Sequence, residues 1–311
     1  MRHETFGDLT ASKFLLDHDA SISCTAPSTH DTALHIIAAH NYPTMLPVAK
    51  VLLERGLSPD LKNVQGYTPL HLCVLAHNEE LFSLLLSRGV NLNVTDVKGH
   101  PPLYYACLDL TDEDSVKDSF ASRILERGSN ANPVYEDDST LLHQLIVQER
   151  EYPAIYLSSY VSNLDHQDSK GFTVLHLAAQ YGLVRLVSKL IECGANLNVQ
   201  TTLSPFSSEQ ERYKLTALHC AVLGSQPAVV EILLQHKDKV DVNLLDSNGD
   251  SPLSLSLWEG QHSLVPPLVG AGADLNLRNV EGSTLLHQVI QRGDTGTALI
   301  LIQSGADIDA R

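Results

Sequence analysis

One tetrapeptide with a fixed return distance limits what this chain can fold into. Thr32-Ala33-Leu34-His35, Thr68-Pro69-Leu70-His71, Thr140-Leu141-Leu142-His143, Thr173-Val174-Leu175-His176, Thr216-Ala217-Leu218-His219 and Thr284-Leu285-Leu286-His287 follow one pattern. Pro101-Pro102-Leu103-Tyr104 and Ser251-Pro252-Leu253-Ser254 are worn copies in the gaps. The step from Thr68 to Pro101 is 33 positions, as are the steps from Thr140 to Thr173 and from Ser251 to Thr284. Self-similarity at this period means one supersecondary unit per copy. Each unit buries its apolar face only against its neighbours.

Each copy carries its own start and stop signals. Thr68 suits a helix N-cap, and Pro69 suits the first helical position, where its missing N–H costs nothing. Leu70 enters the core, and His71 hydrogen-bonds backbone or a neighbouring Thr to tie adjacent repeats together. A second helix follows, with Leu81, Leu84 and Leu85, or Leu183, Leu186 and Leu190, at helical spacing. Gly56, Gly89, Gly128, Gly194, Gly272 and Gly305 stand where a left-handed residue ends that helix. An extended segment then leads to a turn of the form Asn63-x-x-Gly66, Asp96-x-x-Gly99, Asp168-x-x-Gly171, Asp246-x-x-Gly249 or Asn279-x-x-Gly282.

The period and the motif together identify the chain as a member of the ankyrin-repeat family. That resemblance implies an all-α solenoid of helix-turn-helix pairs with β-hairpin-like finger loops. About eight repeats are expected over residues 31–311, with a partial repeat over 1–30 in which residues 10–17 read as a second helix. Insertions are expected near 42–47, 109–120 and 201–214, where the step between motifs stretches. Val161 stands in place of a helix-ending glycine, so repeat four is expected to be strained or locally altered. Pro266-Pro267 falls in a second helix and is expected to shorten or kink it. The unfinished ends read as a piece cut from a longer protein.

The net charge of −16 argues against nucleic acid and against direct adhesion to anionic lipid. No apolar run is long enough to span a membrane, and no signal peptide opens the chain. Five cysteines lack paired metal spacing, with Cys73 and Cys220 on the core side of helices. Free thiols in a cytoplasmic setting are the expected state. The motif histidines stand no more than one per repeat, so no metal site and no cofactor are expected. No Gly-rich phosphate loop and no Gly-x-Ser-x-Gly elbow occur, and a non-catalytic chain is expected.

In ankyrin arrays the finger residues and the outer turn of the first helix line a concave binding face. By offset from each motif, that face is expected to carry Tyr67, Lys98, His100, Lys170, Phe172, Tyr181, Trp258, Glu259 and Arg292. The aromatic members are singled out because aromatics dominate interface hot spots. Trp258 is the only tryptophan, and packing against a neighbouring repeat is the alternative to a partner contact.

The stretches Ser119-Phe120-Ala121-Ser122-Arg123-Ile124-Leu125-Glu126-Arg127-Gly128-Ser129, Leu255-Ser256-Leu257-Trp258-Glu259-Gly260 and Thr284-Leu285-Leu286-His287-Gln288-Val289-Ile290-Gln291-Arg292 resemble the central array of the rabankyrin family. Those are endosomal Rab effectors with a BTB domain, a long ankyrin array and a FYVE finger. The resemblance implies a trafficking scaffold, peripheral to the early endosome, that acts with a GTP-bound Rab GTPase or an EH-domain adaptor. Membrane contact would then come only through regions outside this segment. The family's acidic insertion carries an Asn-Pro-Phe motif that residues 109–120 lack, and Ser204-Pro205-Phe206 is a weak substitute in another insertion. An inhibitor-type ankyrin protein that sequesters a basic transcription factor is the alternative.

Overall fold

The computed structural model describes residues 24–112, 118–202, 213–279 and 282–309. The expected helix at 10–17 and the Ser204-Pro205-Phe206 motif lie outside them. The chain divides into two compact units, Met1–Ala131 and Asn132–Arg311. Among the described residues there are only helices and turns, apart from isolated antiparallel bridges at Val134–Thr140 and Arg278–Thr284.

Among the described residues the first unit holds three helix pairs: α1 (Ala33–His40) with α2 (Leu46–Glu54), α3 (Pro69–Leu75) with α4 (Glu79–Ser87), and α5 (Pro102–Leu108) with α6 (Phe120–Glu126). The second holds five: α7 (Leu141–Val147) with α8 (Glu151–Ser158), α9 (Val174–Gln180) with α10 (Val184–Glu192), α11 (Ala217–Leu223) with α12 (Pro227–Gln235), α13 (Pro252–Trp258) with α14 (Val265–Gly270), and α15 (Leu285–Gln291) with α16 (Thr295–Gln303). Within a unit, first helices pack on first helices and second on second, as α1–α3–α5 and as α9–α11–α13. The motif leucines Leu34, Leu70, Leu142, Leu175, Leu218 and Leu253 are buried between them. Each contributes about 1.5–3 kcal/mol on burial.

The histidine does what its position promises, and its tautomer follows from geometry. The Thr68 backbone N–H donates to His71 Nδ1 at 3.1 Å, so that nitrogen is an acceptor and the proton sits on Nε2. Nε2 then donates to the His100 carbonyl of the next finger at 3.2 Å. The same bridge runs from His35 to Tyr67, from His143 to Phe172, from His176 to Leu215 and from His219 to Asp250, at 2.9–3.2 Å. The imidazole replaces the Glu or Gln of an ordinary capping box and reaches one repeat further.

The fingers are tight turns pinned by their first side chain. Asp96 Oδ1 accepts from the Lys98 and His100 N–H groups at 2.8 and 2.9 Å. Asp168 does the same for Lys170 and Phe172. On another face, Asn198 and Asn243 each accept from the following repeat's backbone N–H, at 2.7 and 2.8 Å, and donate to a carbonyl there.

Two irregular repeats are accommodated without a break, the first with no left-handed residue at Val161 and the second with its left-handed glycine, Gly272 at φ +100°, kept. At Val161 the chain leaves α8 through Ser159 at φ −71°, and Val161 does not take the left-handed conformation. The local alteration is therefore a different exit rather than stored strain. Pro266-Pro267 falls in the first turn of α14, where the missing N–H groups are orphans anyway. That helix has six residues, against nine in α12, and a 3₁₀ turn at His262–Leu264 precedes it.

Candidate functional site

In the first unit, the finger residues meet an aromatic network that the sequence reading did not include. Tyr105, on α5, donates its hydroxyl to Asp96 Oδ2 at 2.6 Å. Its oxygen lies 3.2 Å from the Tyr67 hydroxyl, and the two rings meet edge to face at 5.8 Å. His100 stacks flat on Tyr104 at 3.8 Å, with Nδ1 3.9 Å from Asp96 Oδ2. Burial pushes the Asp96 carboxyl up, but hydrogen bonds from Tyr105, His100 and Lys98 outweigh it and hold it below the usual carboxylate range. Burial and the Asp96 bond push the Tyr105 hydroxyl up, and burial pulls the His100 imidazole down against the opposing pull of Asp96. Tyr67 and His100 are thus half-buried parts of a rigid cluster. Lys98, Val64 and Val97 stand exposed on the finger tips beside them, Val97 at 71%. A tyrosine in the histidine position followed by a second tyrosine was the available signal for this cluster.

In the second unit, Lys170 is exposed, and Phe172 is half-buried with its ring edge-on to His176 at 6.1 Å. Tyr181 caps the end of α9 and is 42% exposed. Two repeats further on, three expected site residues gather. The Trp258 indole N–H donates to Asp250 Oδ1 at 3.0 Å, and the Arg292 guanidinium lies 3.7 Å above its ring centre. Glu259 follows Trp258 and is exposed. An exposed cation–π contact of this kind is worth about 0.5–1 kcal/mol. Of the two readings of Trp258, the contact with the next repeat is the one seen here, and the side chain is half-buried. The partner residue Asp250 was missed because its link to Trp258 depends on the finger folding back over the helix. A small cleft meets this group through Asp250 and is lined also by Ser254, Asp274, Asn279 and Gln288.

Among the described residues, no group of three His, Cys, Asp or Glu is placed to hold a metal ion. Burial pushes the Cys107 and Cys220 thiols up to about 12, which leaves them protonated and unreactive. No described helix is long and apolar enough to cross a membrane.

Stacked helix-turn-helix units with pinned fingers and a His bridge define a repeat protein whose side chains can contact another macromolecule. Family models for ankyrin repeats match residues 3–96, 44–118, 103–201 and 203–279, and a single ankyrin repeat matches 281–311. The chain belongs to the ankyrin-repeat family. It is similar to rabankyrin-5 of Mus musculus, with 32% identity over 93% of this chain and 29% of that protein. Rabankyrin-5 of Homo sapiens is 31% identical over the same shares. The nuclear factor NF-kappa-B p105 subunit of Gallus gallus is 33% identical over 47% of this chain and 14% of that protein. The chain spans less than a third of the length of the rabankyrin-5 relatives.

Proposed function

We propose that this chain is a non-catalytic protein-interaction scaffold acting in endosomal trafficking, with a GTP-bound Rab GTPase as its partner. The observation that carries this reading is the similarity to rabankyrin-5 along 93% of the chain. Exposed finger residues around rigid half-buried aromatics support a protein partner, since aromatics and arginine concentrate interface energy. The repeats would stand in the cytoplasm, peripheral to the early endosome, with membrane contact made by other regions. An EH-domain adaptor is a further partner through Ser204-Pro205-Phe206.

A second reading has its own support. The likeness to the p105 subunit over 47% of the chain and the charge of −16 fit an inhibitor that sequesters a basic transcription factor. A pulldown with the purified chain separates the two, using Rab GTPases loaded with GTP or GDP and a basic Rel-type domain as alternative baits. Retention of a GTP-loaded Rab alone is expected. Retention independent of nucleotide, or of the Rel-type domain only, would remove the trafficking reading. Tyr67→Ala and Trp258→Ala variants that keep their thermal midpoint are expected to weaken that retention by about tenfold each.

A further inference from the structure

Trp258 already holds a cation, and this chain supplies it. The indole is fixed in orientation because its N–H is bonded to Asp250 Oδ1 at 3.0 Å. Its face is covered by the Arg292 guanidinium at 3.7 Å. Arg292 lies just past the end of α15 on an exposed side chain, and its ion pairs include no carboxylate among the described residues. The adjoining cleft is lined by two carboxylates, Asp250 and Asp274, with the polar side chains of Ser254, Asn279 and Gln288, and by no basic residue. Glu259 is exposed next to the ring.

This group therefore has an oriented π face, carboxylate and amide groups in a small cleft that meets the ring through Asp250, and a guanidinium whose contact among the described residues is the ring. The chemistry of the occupant is visible in the residue that occupies the ring now. A planar guanidinium stacks on indole and presents several donors to carboxylates and amides, which an ammonium cannot match in geometry. An exposed cation–π contact is weak enough to exchange. The net charge of −16 favours a cationic visitor over an anionic one.

We propose that Arg292 is a placeholder, and that Trp258, Asp250 and the adjoining cleft form a docking site for an arginine-bearing segment of a protein partner. The partner's guanidinium takes the ring face and the acidic cleft as Arg292 moves into solvent. The proposal rests on the reading of this chain as an interaction scaffold.

Because Trp258 is the only tryptophan, its fluorescence reports on this site directly. The full chain is titrated with an acetylated, amidated Gly-Arg-Gly peptide and with its neutral citrulline counterpart. The arginine peptide is expected to change the emission, and the citrulline peptide is not. Arg292→Ala, and Arg292→Gln as a variant that keeps an aliphatic stem, are expected to bind the arginine peptide about two- to fivefold tighter than the parent chain, because the resident competitor is gone. Equal affinity in parent and variants would overturn the proposal, as would an equal response to citrulline. A large fall in thermal midpoint in both variants would also overturn it, marking Arg292 as a brace. A chain that retains a GTP-loaded Rab but fails this titration loses the site and keeps the trafficking reading. The opposite pair of results keeps the site and removes the Rab.

Discussion

The junction between repeats five and six and the junction between seven and eight solve one problem in two ways. In the first, His176 is buried, its Nδ1 accepts from the Thr173 N–H, and its Nε2 lies 2.9 Å from both the Leu215 and Val199 carbonyls. In the second, Ser254 replaces the histidine and bonds only within its own repeat, to the Ser251 carbonyl and the Asp250 carboxylate. The contact between repeats shifts outward to Arg292 over Trp258, and a cleft opens beside the serine. A buried neutral imidazole makes a junction that is hard to exchange. A surface cation on an aromatic makes one that is easy to exchange. The irregular junction is where the array gives up bridging and gains a face that can respond to another molecule.

The largest test of this contrast removes the bridge. His176→Ala is expected to cost about 3–5 kcal/mol, from the cavity and from backbone groups left without a partner. Ser254→Ala is expected to cost about 1 kcal/mol or less, because only local bonds are lost. Denaturant titrations of both variants check the pair, and similar losses would erase the distinction between the junctions.

Acid should find the bridged junctions next. Burial pulls His176 and His71 down to about 4 from the ordinary value of 6.5, against the raising effect of their carbonyl partners. Their folded pKa is depressed, so the unfolded chain binds these protons first as pH falls. The stability they contribute is complete above pH 6.5 and is lost as pH falls toward 4. Each contributes on the order of 3 kcal/mol at most over that window. Hydrogen exchange from pH 7 to pH 4.5 is expected to lose protection in α3 and α9, which carry His71 and His176, before α13, which lacks the histidine. Loss of protection in α13 first would contradict the assignment.

The finger glycines give a smaller contrast of the same kind. Gly171 and Gly282 both sit at positive φ, +79° and +80°. A Cβ on Gly171 would meet the Thr202 backbone at 2.5 Å, whereas on Gly282 it meets no described atom within 4 Å. Gly282→Ala is expected to cost about 1 kcal/mol from the left-handed conformation alone. Gly171→Ala is expected to cost about 1–2 kcal/mol more, because backbone must move. Thermal midpoints of the two variants decide it.

What could be read in the sequence follows from the range of each signal. The N-cap Thr, the first-turn Pro, the leucine spacing and the helix-ending glycines act within about one repeat: α3 and α9 begin directly after Thr68 and Thr173, and α4 and α10 end just before Gly89 and Gly194. The exit from α8 was open, because Val161 signals only that glycine is missing and not which conformation replaces it. The Tyr105–Asp96 bond spans nine residues and the Trp258–Asp250 bond eight, yet each depends on a finger folding back over its own helix. Periodicity places such residues on a face but does not choose their partners. Arg292 over Trp258 joins residues from different repeats, and nothing local to either side chain announces the pair.

The smallest expected effect is also the most direct comparison of the two junctions. Ser254→His would restore the motif to repeat seven. In the bridged repeats, Nε2 donates to the carbonyl just before the next repeat's motif, at Tyr67, His100, Phe172, Leu215 or Asp250. In repeat eight the corresponding carbonyl belongs to Ser283, which already accepts from the Asn279 N–H, as the Asp250 carbonyl accepts from the Asp246 N–H while His219 bonds it too. Ser254 lines the small cleft, so the ring would enter it. A gain of about 0.5–1.5 kcal/mol is expected, the net value of one buried hydrogen bond, with a raised thermal midpoint. The same ring would fill the space proposed for a partner's guanidinium, so affinity for the arginine peptide should fall as stability rises. A variant that is stabilised and still binds the peptide as before would separate the cleft from the Trp258 face. A destabilised variant would show that the serine is there because the stack at this junction cannot admit an imidazole.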